Sequence, residues 1–241
     1  MRKDERHQIK RDELLTAIER GTLYVAHNAR QVGLGAAAAA LLALAGFGLY
    51  GFMSARAEKA SALLGQMVRT YRAPIVATME ALQQAPAGVQ SFTTAEERDG
   101  KVLQLADDIL ARYGATPAAP KALYYKALAL EGLKKDADAV AAMETFLKKY
   151  PGDFLSPMAR FQLARLRETQ GNASEALAQY QVLAEDSRSL FPREEGLLGV
   201  ARCHEALGHK DEALKVYRRV LSDFPDSDYR SEASRKVQDL S

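Results

Sequence analysis

Apolar and small residues in the second half of the chain recur at helical spacing, and the pattern repeats every 37 residues. Two columns of alanine follow this step: Ala127, Ala164 and Ala201, and Ala139, Ala176 and Ala213. The clearest unit carries two stripes at the i, i+3, i+4, i+7 spacing of buried helix faces, one at Leu197, Val200, Ala201 and His204 and one at Ala213, Tyr217, Val220 and Leu221. Each unit is therefore predicted to be two antiparallel helices separated at Gly208 and ended by Pro225.

The period divides the C-terminal part of the chain into a repeat domain over 95–241. It predicts a partial repeat over 95–120, three repeats near 121–157, 158–193 and 194–227, and a polar capping helix over 228–241. Residues 56–94 are predicted to be a juxtamembrane helix and connector, with a helix over 57–84 that Pro74 interrupts. Asp226 and Ser227 are expected to cap the last helix.

Residues 31–55 form an uninterrupted run of 25 neutral residues between Arg30 and Arg56. Because roughly 20 apolar residues in a helix cross a hydrocarbon core of about 30 Å, this run is predicted to be a transmembrane helix in contact with the lipid bilayer. A cleavable signal peptide is disfavoured because the run is longer than a signal core and follows a charged leader. A buried soluble helix is disfavoured because this run is apolar on every face.

Residues 1–30 are predicted to be a cytoplasmic amphipathic tail, with Leu14, Leu15 and Ile18 at helical spacing. Seven Lys or Arg residues lie in this tail, so the positive-inside rule places the N-terminus in the cytoplasm. The repeat domain would then lie on the other side, which in a bacterium is the periplasm. Within the span, small residues recur at every fourth position at Gly35, Ala39 and Ala43, which leaves a homo-oligomer open as an alternative.

The charge balance argues against nucleic acid as a partner. Residues 56–241 hold 26 Lys or Arg residues and 26 Asp or Glu residues, whereas a nucleic-acid-binding domain usually has a basic face. The single cysteine, Cys203, cannot form an internal disulfide and is expected to be a small buried residue.

No pattern in the sequence predicts an enzyme. The closest approach to a metal motif is His204 and His209, but the i, i+5 spacing should point the two side chains apart, and Gly208 should end the helix between them. Cys203 and His204 are adjacent on a helix and are therefore not expected to form a nucleophile and base pair. The sequence also contains no phosphate-binding loop. Catalytic, cofactor-binding and metal-binding residues are accordingly all predicted to be absent.

The unit from Glu194 to Pro225 resembles a tetratricopeptide repeat in its small residue, its glycine, its Asp-Glu-Ala-Leu step, its aromatic residue and its closing proline. The resemblance implies an all-α fold in which a single transmembrane helix is followed by a tetratricopeptide-like α-solenoid of helical hairpins. The period exceeds the usual 34 residues of that family by three. We expect the extra residues in the turns between units, at Gly-Asp-Phe-Leu-Ser-Pro and Asp-Ser-Arg-Ser-Leu-Phe-Pro.

The resemblance also implies a concave face lined by the first helix of each unit, on which other proteins bind. The period assigns to this face an apolar row of Tyr124, Phe161 and Leu198, a basic pair of Arg165 and Arg202, and an acidic row of Glu131, Glu168 and Glu205. Such rows suit a bound peptide. The alternative is that the apolar row packs between neighbouring repeats and the charged rows form ion pairs between them.

A short charged tail, one span and a repeat domain together resemble the bacterial inner-membrane repeat proteins that are ancillary subunits of the Sec translocon. This likeness implies a single-pass inner-membrane protein that acts as an adaptor, as a chaperone or scaffold for extracytoplasmic proteins. The alternative is a self-associating structural component of a cell-envelope or division complex.

Overall fold

The computed structural model describes Thr22, residues 25–76, Thr78 and residues 90–241. The predicted all-α fold of repeated hairpins is confirmed, and among the described residues the only extended pairing is an isolated bridge. Nine helices lie in the described part of the chain: α1 Ala29–Tyr71, α2 Ala95–Tyr113, α3 Ala119–Gly132, α4 Asp136–Lys149, α5 Ser156–Thr169, α6 Ala173–Glu185, α7 Arg193–Ala206, α8 Lys210–Asp223 and α9 Arg230–Leu240. The chain divides into two compact units, Met1–Ala55 and Arg56–Ser241. Most of the predicted tail, including Leu14, Leu15 and Ile18, lies outside the described residues.

Helix α1 contains the predicted span and continues past it. By length and composition this helix could cross a membrane, since an 18-residue window within it has a mean hydropathy of 2.1 and at most two charged residues. None of that window is buried against other parts of the protein. A water-exposed surface of this apolarity would be costly, which is the physical reason to expect that something apolar covers it.

The C-terminal part of α1 joins the repeat helices by forming the first hairpin with α2. Ala60 and Met67 of α1 are buried in one cluster with Val102 and Ile109 of α2. The helix expected over 57–84 ends instead at Tyr71, ahead of Pro74. The reason is that a residue before proline is driven out of the helical conformation.

The chain then enters α2 through a short extended pairing and a polar cap. Ile75 and Phe92 form the isolated parallel bridge, in which the Val76 amide donates to the Phe92 carbonyl oxygen at 2.8 Å. Thr94 is the N-cap of α2, and its hydroxyl oxygen accepts a hydrogen bond from the Glu97 amide at 3.1 Å. This cap satisfies one of the amides that a helix start leaves unpaired.

The three complete hairpins, α3–α4, α5–α6 and α7–α8, turn by the same backbone conformation. Lys134, Gly171 and Gly208 each have a positive φ, of 61°, 79° and 75°, and they are spaced by the 37-residue period. Gly208 therefore separates the two helices of its unit as predicted, and Lys134 adopts in the first hairpin the left-handed conformation that glycine adopts in the others.

Neighbouring hairpins pack most closely where α6 meets α7. A Cβ atom added at Gly196 would lie 2.7 Å from the Ala184 backbone nitrogen, and one added at Gly199 would lie 2.3 Å from the Tyr180 ring. The two glycines thus allow backbone and ring to approach α7 directly. Around this contact lies the largest buried cluster of the repeat domain, which includes Tyr180, Leu197 and Tyr217.

Two of the connections between hairpins are the turns over 150–155 and 186–192. The second contains, and the first overlaps, a segment where the extra residues of the period were expected. The expected cap of the last helix is wrong. Helix α9 begins at Arg230, its N-cap is Tyr229, and Ser227 accepts a hydrogen bond from the Tyr229 amide at 3.3 Å within the preceding turn. The shorter segment from Phe224 to Tyr229 winds into a turn before the helix begins, so Ser227 lies too early to cap it.

We predict that Gly196→Ala lowers the free energy of unfolding by about 1–2 kcal/mol, because the added methyl group must push α6 and α7 apart. Gly100→Ala in α2 is the matched control. A Cβ atom there meets nothing within 4 Å, so the gain in helix propensity should stabilise that variant by about 0.5–1 kcal/mol. Urea unfolding of the full chain in mild detergent, followed by circular dichroism, measures both changes. Equal stabilisation by the two substitutions would show that the close approach at Gly196 is unimportant.

Candidate protein-binding surface

The predicted apolar row lies mainly inside the repeat domain. Tyr124 is 9% exposed and Leu198 is 2% exposed. Phe161 is half-buried, with its ring centroid 6.0 Å from that of Tyr180 and 5.0 Å from that of Phe191. The Tyr180 contact lies within one hairpin, and Phe191 belongs to the turn that leaves that hairpin. The row is therefore largely taken up in packing inside the repeat domain and is not presented to solvent.

The charged rows meet between repeats and form polar rungs. The first complete rung joins Glu168 of α5 to Arg202 of α7, whose Nε donates to Glu168 Oε1 at 2.8 Å. The Tyr180 hydroxyl of α6 donates to Glu168 Oε2 at 2.7 Å, and the Arg202 guanidinium lies 5.7 Å from the centre of the Tyr180 ring. One carboxylate thus ties together three consecutive helices.

A second complete rung repeats this arrangement at the C-terminal end. The Tyr217 hydroxyl of α8 donates to Glu205 Oε1 at 2.5 Å, and Lys236 Nζ of the last helix donates to Glu205 Oε2 at 2.9 Å. Tyr180 and Tyr217 are one period apart, as are Glu168 and Glu205. The recurrence of the same contacts shows that the acidic row is used to stack hairpins.

The corresponding rung at the first hairpin is incomplete. Met143 occupies the position one period before Tyr180, so no hydroxyl reaches Glu131 from α4. No hydrogen bond or ion pair to the Glu131 side chain is present among the described residues. Arg165, which is exposed, lies close enough to interact electrostatically with both Glu131 and Glu168.

The pKa values of the two glutamates shift in opposite directions for this reason. Burial raises the pKa of Glu131, and the partial compensation by Arg165 does not cancel that effect. Burial also acts to raise the pKa of Glu168, but the hydrogen bonds from Arg202 and Tyr180 outweigh it and hold that pKa below its usual value. Glu131, whose surroundings disfavour the ionised form, and Glu168, whose surroundings favour it, therefore occupy equivalent positions in successive repeats.

An apolar groove lies open between the two long inter-repeat turns. We call it the turn groove and define it by its apolar lining residues, Phe154, Pro157, Met158, Leu190, Phe191 and Pro192. Its volume is about 400 Å³, within the range of ordinary ligand pockets. Leu190 is 89% exposed and Phe154 is 69% exposed, so large apolar side chains face solvent here. Exposed apolar side chains that cluster in this way are a feature of protein-interaction sites and ligand-binding grooves.

Charged side chains border the turn groove. Asp153, Asp186 and Glu195 contribute three carboxylates, and Arg188 contributes the one basic side chain of the lining. Asp153 Oδ1 accepts from the Leu155 amide at 2.8 Å, Asp186 Oδ1 accepts from the Arg188 amide at 3.0 Å, and Glu195 Oε1 accepts from the Tyr229 hydroxyl at 2.7 Å. The border is therefore both acidic and held in place by the protein's own hydrogen bonds.

Sequence reasoning located these turns but missed the groove. The period marked the two segments as longer than the family standard, and each carries a large apolar residue, Phe154 or Leu190, among polar turn residues. Apolar residues in a turn that the helical pattern does not need were the available signal. The repeat pattern concerns the helix faces and therefore assigns no role to these turn residues.

The two cysteine and histidine expectations have different outcomes. Cys203 is buried as expected, and burial raises the pKa of its thiol to about 11. The expected divergence of His204 and His209 is wrong, because the left-handed turn at Gly208 folds the chain back and brings their Nδ1 atoms to 3.5 Å. In the part of the chain that the structure describes, no group of three or more potential ligands could hold a metal ion.

Comparison with known proteins identifies the architecture. The sequence matches the family model described as the tetratricopeptide repeat-like domain over residues 24–241. No curated protein matched the sequence. A crystal structure of nearly identical TPR-like repeats of a Podosopora anserina protein described as a kinesin light chain aligns with a TM-score of 0.50 at 17% identity, over 60% of this chain and 78% of that one.

Two further structures were compared. A variant of the Podosopora anserina protein gives a TM-score of 0.50 at 17% identity, over 60% of this chain and 77% of that one. A double mutant of MamA RS-1 gives a TM-score of 0.46 at 14% identity, over 60% and 85% of the respective chains. At these identities the likeness concerns the fold alone.

We predict that replacing glutamate by glutamine changes the free energy of unfolding in opposite directions at residues 168 and 131. Glu168→Gln should lower the free energy of unfolding at pH 7 by about 1–3 kcal/mol, because the hydrogen bonds that Arg202 and Tyr180 donate to a charged group are weakened. Glu131→Gln should raise it slightly, because a neutral amide avoids the cost of a half-buried charge that has no hydrogen bond.

The pH dependence follows from the direction of each pKa shift. The stabilisation from Glu168 is present above the usual glutamate pKa and is lost as the pH falls through its lower folded value, so the deficit of Glu168→Gln should shrink in acid. Glu131 has the raised pKa, so its contribution is most favourable in acid and is lost as the pH rises, which should confine the gain of Glu131→Gln to neutral pH. Urea unfolding at pH 7 and at about pH 4 tests this. A loss of stability in both variants would contradict it.

Proposed function

Since the chain belongs to the tetratricopeptide repeat-like domain family, we propose that it is a membrane-anchored adaptor that binds other proteins through its repeat domain. The observation that carries this proposal is the turn groove, where Leu190 and Phe154 are the most exposed large apolar side chains of the repeat domain's described residues. Repeats of this family typically mediate protein–protein interaction. The groove supplies a surface on which such an interaction gains from apolar burial.

The rows first assigned to binding support this choice of surface indirectly. Tyr124 and Leu198 are buried, and Glu168 and Glu205 are paired within the domain. A partner that used them would have to break contacts that already stack the hairpins. A partner at the turn groove would only cover surface that is exposed now, which makes association there less costly.

Membrane anchoring by residues 31–55 is the second element of the proposal. It is supported by the length and apolarity of α1 and by the basic residues of the preceding tail. On this proposal the protein is a single-pass protein of a bacterial inner membrane with its tail in the cytoplasm and its repeat domain in the periplasm. A position beside the secretion translocon, as a chaperone or scaffold for newly exported proteins, follows from the likeness in layout.

We further propose that the protein works by binding alone, without catalysis. Repeat proteins of this kind generally act as non-catalytic scaffolds. The described residues add no constellation of nucleophile, base and orienting group, and the thiol of Cys203 is held protonated by burial.

We predict a defined pattern of labelling by a membrane-impermeant maleimide. In a chain with Cys203→Ala, Ser174→Cys should react in intact bacterial cells. Residue 174 is an exposed position of α6, and on this proposal the repeat domain faces outward from the inner membrane. Gln8→Cys in the tail should react only after the inner membrane is opened. Labelling of the tail in intact cells would overturn the orientation. Recovery of the chain in the soluble fraction after carbonate extraction would overturn the anchor.

We also predict that a photo-crosslinking amino acid at Leu190 captures specific partners in the native membrane, because this side chain is the most exposed part of the turn groove. The same amino acid at Ser174, which is exposed but does not line the groove, is the control. Partners enriched at Leu190 over Ser174 and identified as translocon subunits, folding factors or exported chains support the adaptor. Capture of only a second copy of the chain would favour the self-associating envelope component instead.

A further inference from the structure

We propose that the turn groove binds an extended peptide segment in which two or three large apolar side chains are flanked by Lys or Arg. This inference rests on the proposed function, because it specifies the partner of the same surface. It is argued from the size of the groove, from the sign of the charge at its border and from the rigidity of the two turns.

The size of the groove fits side chains from a single strand of peptide. A volume of about 400 Å³ holds a few apolar side chains, which a single extended segment can supply. The apolar residues come from both turns, Phe154 and Met158 on one side and Leu190 and Phe191 on the other. A segment lying between the turns would therefore be contacted from two sides, which is where burial of apolar side chains is most favourable.

The charge of the border selects the flanking residues of the peptide. With three carboxylates and one guanidinium, the lining of the groove has a formal charge of −2. Asp153 and Asp186 each use one oxygen to hold their own turn, so the second oxygen of each carboxylate can accept a hydrogen bond from a ligand. Lys or Arg beside the apolar residues would meet these oxygens, whereas Asp or Glu would be repelled.

The two turns are held in shape before any partner arrives. Besides the aspartate bonds, Ser156 Oγ donates to the Tyr150 carbonyl oxygen at 2.7 Å in the first turn. In the second turn the Phe191 amide donates to Ser189 Oγ at 3.1 Å. Because the turns are ordered by their own hydrogen bonds, binding need not include the conformational entropy cost of folding them.

The groove is particular to one hairpin, α5–α6, whose preceding and following turns both line it. One period before Phe154 the chain has Pro117, and one period after Leu190 it has Ser227, so the large exposed residues do not recur at the neighbouring junctions. The groove therefore does not follow from the repeat as such. Phe191 also packs against Phe161, but Phe154 and Leu190 are mostly exposed, and the hairpins stack at the other junctions without such residues.

The test uses the full chain in nanodiscs of zwitterionic phosphatidylcholine, which has no net charge to attract a basic peptide. Three fluorescein-labelled peptides are titrated and followed by fluorescence anisotropy: GSKLFLKSGS, its acidic twin GSELFLESGS, and GSKSGSKSGS, which lacks the apolar residues. Nanodiscs without protein correct for binding to lipid. We expect saturable binding of the first peptide, about tenfold weaker binding of the other two, and several-fold weaker binding of the first as salt rises from about 50 to about 300 mM.

Single substitutions assign the binding to the groove. Leu190→Ser and Phe154→Ser should each weaken binding of GSKLFLKSGS by about tenfold, and both side chains are exposed enough to be replaced without unfolding the domain. Leu207→Ser is the matched control, since Leu207 is also exposed and apolar but does not line the groove. This control should bind as the unaltered chain does, with the same circular dichroism spectrum in all variants.

The proposal is overturned if the acidic twin binds as tightly as the basic peptide, or if Leu190→Ser leaves the affinity unchanged. Concentration-dependent dimerisation that Leu190→Ser abolishes would identify a second copy of the chain as the occupant and would also overturn it. Failure of peptide binding together with specific capture by the crosslinker at residue 190 would reject this peptide class and leave the adaptor function standing. Peptide binding without any capture in the membrane would reject the adaptor function instead.

Discussion

The repeat domain depends on the close apposition of each hairpin with the next. A single pair of helices cannot bury its apolar face, so each hairpin is stable only because its neighbour covers that face. The contact is closest where Gly196 meets the Ala184 backbone and Gly199 meets the Tyr180 ring. The absence of a side chain at these two positions lets the buried Tyr180 enter the junction, and the first complete polar rung is built on its hydroxyl.

The same junctions explain why the exposed surface of the domain is chemically uneven. Arg202 and Lys236 are each matched to a glutamate of the preceding hairpin, so the charges along the repeats largely neutralise one another within the protein. The turns over 150–155 and 186–192 carry apolar side chains that no neighbouring element covers. The charged side chains of the rungs are therefore already paired within the protein, whereas apolar side chains of the turns are still exposed. The turns are the better place for a partner to bind.

Much of the fold could be predicted from the sequence, because periodicity reports burial directly. The repeat pattern located the break between the two helices at Gly208, and the two alanine columns mark positions that are fully buried in the structure. The candidate site was less predictable. Register alone could not show whether Tyr124 and Leu198 face solvent or a neighbouring hairpin, because both arrangements give the same spacing. The spacing argument also failed for His204 and His209, because it assumed a continuous helix where the chain reverses. The turn groove depends on two segments far apart in sequence, whose approach only the tertiary structure specifies.

The incomplete rung at Glu131 leaves one junction between hairpins with fewer polar contacts than the next two. In a linear array each hairpin contacts only its immediate neighbours. Local unfolding therefore begins at the junction with the weakest stabilising contacts. The junction with Met143 in place of a tyrosine is the one that the turn over 150–155 crosses, so Phe154 and one side of the turn groove lie at this junction. A change in how these two hairpins pack would therefore move Phe154 relative to Leu190 and alter the width of the groove.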